Sequence, residues 1–108
     1  MYTYKAKVAR VIDGDTVVLE IDLGFNIFHV MSCRLLGVNA PELNAKDEVI
    51  KVEANACKNF LMSLLPVGKI VTIESKKLDK YGRALVLIDG VNDMMNEYLA
   101  TCKTFVKK

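Results

Sequence analysis

The sequence predicts a small, mainly β fold of α+β class: a five-stranded, partly open Greek-key barrel with one helix between its third and fourth strands and a short helix near the C-terminus. Three observations predict it. Apolar and polar residues alternate in five stretches bounded by Gly, Asp or Pro; the period switches to three and four residues after Asp47; and a shorter helical stretch follows the last strand. The order strand, strand, strand, helix, strand, strand, helix suits such a barrel, and a small α+β sandwich of the same elements suits the pattern equally well.

Residues 2–12 are rich in Tyr, Thr, Val and Ile, Asp13-Gly14-Asp15 makes a tight turn, and residues 16–21 resume the strand pattern. Residues 22–26 contain Gly24 and read as a second turn, followed by a long third strand over 27–38. Strands joined by such short turns form a meander. Pro41 ends the extended run and opens a polar loop through Lys46. From Asp47, a side-chain cap, Val49, Val52, Ala56, Phe60 and Leu64 recur at helical spacing and predict a buried stripe, with Lys51, Glu53 and Lys58 on the wet face. Pro66 and Gly68 stop that helix. Residues 69–75 and 83–88 alternate as strands, joined by a charged connection over 76–82. A last helix over 93–102 is expected to bury Met94, Met95, Leu99 and Cys102, and Met31 and Met62 are expected in the core.

At 108 residues, 52% hydrophobic and 26% charged, the chain is expected to form a single domain over 1–108, and neither disorder nor a membrane-spanning helix suits it. The net charge of +2 does not by itself announce a polyanion partner. Lys76, Lys77, Lys80 and Arg83 cluster, as do Lys103, Lys107 and Lys108, although charge runs of this kind are commonly solvated surface. Cys33, Cys57 and Cys102 are too widely spaced for a zinc or dithiol motif, so free thiols are expected. The N-terminus lacks the basic start and apolar run of a leader, which places the expected chain inside a cell with no membrane partner, secretion being the alternative for a processed form.

Three segments carry more than packing: Val-Ile-Asp-Gly-Asp-Thr at 11–16, Cys-Arg-Leu-Leu-Gly-Val-Asn-Ala-Pro-Glu at 33–42, and Asp-Lys-Tyr-Gly-Arg at 79–83. An isolated Asp-Gly-Asp is usually just a turn. Here Asp15 can also direct a carboxylate into a cleft, and Asn39 can add a side-chain oxygen where the third strand ends. Arg34 lies on an otherwise apolar strand, where a guanidinium needs solvent, an anion or a carboxylate. Glu42 is suited to take a proton from, or orient, an attacking water. Arg34 and Arg83 present paired donors to a phosphodiester, and a surface salt bridge with Asp79 is the plainer role for Arg83. Lys80 and Tyr81 are weaker candidates for nucleotide contacts, and His29 reads as a structural or surface residue. Carboxylates for a hard cation and guanidiniums for a phosphate make up the chemistry of phosphodiester hydrolysis.

With these three motifs in order, and Glu53, Ala54 and Ala56 between the second and third, residues 5 to 100 resemble the thermonuclease, or staphylococcal nuclease-like, family. The resemblance implies an oligonucleotide-binding (OB) barrel and calcium-dependent hydrolysis of DNA and RNA to 3'-phosphate products. It further implies Asp15 as a calcium ligand beside Asn39 and the Ala40 backbone oxygen, Arg34 and Arg83 as phosphate ligands, Glu42 as the water-activating residue, and Lys80 and Tyr81 as nucleotide contacts. Two departures stand out. Asn39 replaces a second metal-binding aspartate and Ala40 a threonine, which implies weaker calcium binding or a preference for another divalent ion. The likeness also ends before the family's third helix, which implies a reduced stacking surface. A non-catalytic module that grips single-stranded nucleic acid or protein is the alternative expectation.

Overall fold

The computed structural model describes residues 2–41, 46–78 (backbone alone for 76–78) and 82–100. Its elements are β1 (Tyr2–Asp13), β2 (Thr16–Asp22), β3 (Phe28–Leu35), α1 (Glu48–Leu64), β4 (Ile70–Leu78), β5 (Ala84–Ile88) and α2 (Val91–Ala100). The strands close into a barrel in the order β1-β2-β3-β5-β4. This is the OB-like architecture, with one helix after the third strand and one near the C-terminus, and the sandwich is excluded.

β1 makes closure possible because its first half pairs with β4 from Tyr2↔Ser75 to Lys7↔Ile70, while its second half continues along β2 to Asp13↔Thr16. Register shifts after Val8 and Val11 bend it between the two neighbours, as bulges do in a curled sheet. At the first shift, Val8 donates to the Lys69 carbonyl at 2.9 Å and accepts from the Gly68 amide at 2.8 Å, so the chain entering β4 covers the bend. A parallel pairing of Cys33, Arg34 and Leu35 with Ala84, Leu85 and Val86 completes the ring.

Alternation sends one face of each strand inward. Val8, Val17, Leu19, Leu35, Ile73 and Val86 are fully buried, joined from outside the sheet by Val38, Leu61, Leu65 and Met95. Each such side chain contributes roughly 2 kcal/mol of burial.

Several details differ from the expectations. β3 stops at Leu35 and not at 38, because Gly37 adopts φ 78° and the chain turns off the sheet while Val38 still packs into the core. α1 is capped by Asp47, whose carboxylate accepts from the Val49 amide, but it buries Ala54, Cys57 and Leu61. Val49 and Val52 of the expected stripe are 55% and 67% exposed, and Phe60 and Leu64 are half-buried. α2 begins at Val91 and buries Val91, Asn92, Met95 and Leu99, while Met94, like Met62, is exposed. Lys51, Glu53 and Lys58 are half-buried, not fully wet. Cys33 and Cys57 are buried thiols in no disulfide among the described residues, and burial pushes the Cys33 thiol up to about 11. Cys102 lies outside the described residues. Among the described residues no helix is long and apolar enough to cross a membrane.

Candidate functional site

The β1–β2 turn sits against two distant parts of the chain. A Cβ on Gly14 would lie 2.7 Å from the Ala40 Cβ and 2.8 Å from the Cys57 Cβ, so only glycine lets the turn meet both the loop after β3 and helix α1. That close approach places Asp15 beside residues 34 to 40. The Leu35 amide donates to the Asp15 carbonyl at 2.8 Å, extending the β2–β3 ladder past Thr16↔Arg34 and holding the Asp15 backbone in place.

The Asp15 side chain is mostly buried and richly hydrogen-bonded. Its Oδ1 accepts from the Thr16 hydroxyl at 3.0 Å, and its Oδ2 accepts from the Ala40 amide at 3.1 Å and from Arg34 Nη2 at 3.3 Å. The same Nη2 donates to Asn39 Oδ1 at 2.7 Å. Arg34 therefore spans Asp15 and Asn39 from a strand position paired with β5, and its guanidinium is about a quarter exposed. A cation on an apolar strand needs such partners, and these bonds answer the question its sequence position raised. Both contacts run through Nη2, and a guanidinium carries further donors on Nε and Nη1.

The structure brings together Asp15, Arg34, Asn39 and Ala40. Arg83 precedes Ala84, which pairs with Cys33, so its backbone enters β5 alongside the strand that carries Arg34. Glu42, Lys80 and Tyr81 lie outside the described residues. His29 is an exposed residue of β3, away from this cluster.

Two participants were missed. Thr16 fixes one carboxylate oxygen of Asp15, and its place next to the Asp-Gly-Asp turn was the available signal. Asp13 accepts the Asp15 amide at 3.2 Å, and burial, followed by hydrogen bonding with Asp15 and the repulsion of its charge, raises the Asp13 carboxyl to about 6. Two carboxylates in one partly dry corner favour a cation, and carboxylate plus amide oxygens suit a hard one. Among the described residues no three His, Cys, Asp or Glu side chains converge for a metal. Asp15 and Asn39 would thus fill only part of a calcium shell.

A closed five-stranded barrel with an Asp and Arg cluster at the β1–β2 turn defines an OB-type protein with a polar site at one corner of the barrel. The family model for staphylococcal nuclease homologues matches residues 32–102, and the chain belongs to that family. It is 30% identical to a thermonuclease of Staphylococcus hyicus and 31% identical to a thermonuclease of Staphylococcus intermedius, over 87% and 86% of this chain and 53% of each relative. An uncharacterised protein of Methanocaldococcus jannaschii is 28% identical over 86% of this chain and 53% of its own length. The chain spans about half the length of these relatives.

Proposed function

We propose that the chain is a metal-dependent phosphodiesterase that cleaves DNA or RNA by attack of water, leaving a 3'-phosphate. The observation that carries the reading is the convergence of Asp15, Arg34, Asn39 and Ala40 at the turn that Gly14 packs. Membership of a family that includes thermonucleases supports it.

In this reading Asp15 and Asn39, with the Ala40 backbone oxygen, would hold a calcium ion. When bound, the ion supplies a Lewis acid for the phosphate oxygens. Thr16 and the Ala40 amide hold the Asp15 carboxylate in one orientation, so it need not reorganise. Arg34, anchored through Nη2, turns its remaining donors to the phosphate, and Arg83 approaches from the start of β5. Both strengthen their bonds as charge builds on the equatorial oxygens. Glu42 takes the proton of the water that attacks phosphorus, and the bond to the 5'-oxygen breaks, that oxygen leaving as a hydroxyl with a proton from solvent. Lys80 and Tyr81 contact the nucleotide. The extra donors around Asp15 also fit a non-catalytic binding module, which Asn39, in place of a metal-binding aspartate, favours.

The test is cleavage of labelled single-stranded DNA, duplex DNA and RNA with calcium, magnesium or chelator. Glu42→Gln and Arg83→Ala are expected to lose at least about a hundredfold in turnover while remaining folded. Cleavage unchanged in both variants would remove the assigned roles. Oligonucleotide binding without any cleavage by wild type would select the binding module.

A further inference from the structure

β3 presents an unpaired strand edge along half its length. It pairs with β2 over seven consecutive positions, Thr16↔Arg34 to Asp22↔Phe28, but meets β5 only at Cys33, Arg34 and Leu35. The Leu35 amide donates to the Asp15 carbonyl at 2.8 Å and, at the other end of the same register, the Leu23 amide donates to the Ile27 carbonyl at 2.8 Å, so the odd-numbered residues of β3 bond to β2. Antiparallel alternation then turns the backbone groups of Ile27, His29 and Met31 toward β2, and those of Phe28 and Val30 outward. The Leu36 amide, on the same parity, donates to the Val86 carbonyl at 2.9 Å, as this alternation requires. Among the described residues nothing pairs with the outward groups of Phe28 and Val30.

Natural sheets protect such an edge with charge, proline, bulges or a covering element. Residues 27–31, Ile-Phe-His-Val-Met, contain no proline and no Asp, Glu, Lys or Arg, and the β2–β3 register has no bulge. Phe28 and Val30 are 55% and 57% exposed.

We propose that this edge is a homodimer interface, in which β3 of one copy pairs antiparallel with β3 of a second copy about a two-fold axis at His29. The edge is complementary to itself in that register. Each Phe28 faces the partner's Val30, an aromatic and β-branched pair of the kind that stabilises antiparallel strands, and each Ile27 faces the partner's Met31. No like charges are brought opposite one another. One strand inward, Glu20 and Asp22 lie opposite Lys7 and Lys5 of β1, so charge-balanced rows border the apolar strip on both sides. The free lengths also match: the chain turns back toward β2 at Ile27, and β5 occupies the edge from Cys33 onward. The interface is isologous, as two-fold dimers require.

Sedimentation of the full chain across micromolar to millimolar concentration tests this. Wild type is expected to dimerise reversibly, and His29→Lys, which places two ammonium groups across the axis, is expected to be monomeric with an unchanged circular dichroism spectrum. In a Cys102→Ser background, His29→Cys should form a reducible cross-linked dimer on mild oxidation, because a non-hydrogen-bonded antiparallel pair brings the two Cβ atoms within disulfide reach. A cysteine at Thr72, on the outer face of β4, should not. Wild type monomeric at every concentration, a His29→Lys dimer as tight as wild type, or equal cross-linking at positions 29 and 72 would each overturn the proposal.

Discussion

Asp13 and Asp15 share one corner of the barrel at different depths, Asp13 half-buried and Asp15 buried beside Arg34. Burial and the Asp15 charge raise the Asp13 carboxyl from 3.8 to about 6. The folded chain therefore holds a proton between those values that the unfolded chain releases. Stability falls as pH rises through that window, and the penalty stands in full above it. Asp13→Asn keeps an oxygen to accept the Asp15 amide and removes the charge. In chelator the variant should melt a few degrees above wild type near neutral pH, with the gap closing toward pH 4 or so. Thermal melts across that range check this, and a variant that melts below wild type at neutral pH would mean that the Asp13 charge supports the fold. The carboxylates themselves were plain in the sequence. The use of Gly14 was not, because the atoms that exclude a side chain there belong to a distant loop and helix.

At the scale of elements, Asn92 joins α2 to the barrel. Its Oδ1 accepts from the Ile88 amide at 2.9 Å, and its Nδ2 donates to the carbonyls of Leu36 at 2.9 Å and Val86 at 3.2 Å. One buried side chain thus serves β5, the exit from β3 and the first turn of α2. Asn92→Ala strands the Ile88 amide and the Leu36 carbonyl, while the Val86 carbonyl keeps the Leu36 amide, and should cost about 2 to 4 kcal/mol, seen as a lower urea midpoint with an unchanged slope. A loss below about 0.5 kcal/mol would mean that water replaces the amide. Such a residue is invisible to hydropathy, which is why the expected helix started too late and turned Met94 inward. The buried face of α1 was misjudged for a different reason. Apolar residues lie on several sides of that helix, and the side chosen carries Ala54 and Cys57, small enough to meet the β1–β2 turn closely. Volume decided what periodicity left open. Phe60, half-buried, instead stacks on Tyr98 of α2 at 4.4 Å between ring centres, so part of the expected stripe ties the two helices together.

For the whole molecule, the number and order of elements were legible because turns and changes of period are local signals. Barrel and sandwich were not separated by pattern, because closure rests on three parallel pairs between β3 and β5, a non-local contact. The corner site follows from that topology: the β2–β3 register sets Asp15 beside Arg34, and the exit from β3 brings Asn39 and Ala40 to the same point. With a net charge of only +2, the chain has little long-range field to attract a polyanion or repel a cation, so the proposed function requires affinity for either to come from local contacts at this corner. If calcium binds there in the folded state alone, it must stabilise the fold by mass action, by about 2.7 kcal/mol at a hundredfold excess over its dissociation constant. Calcium should therefore raise the melting temperature of wild type. Asn39→Asp, which adds a second carboxylate to the oxygen donors, should give the same rise at about tenfold lower calcium or less. The added charge also pairs with Arg34, which donates to Asn39 at 2.7 Å, so melts without calcium separate that contribution from the metal's. A calcium response with the same midpoint in both proteins would place the ion away from residue 39.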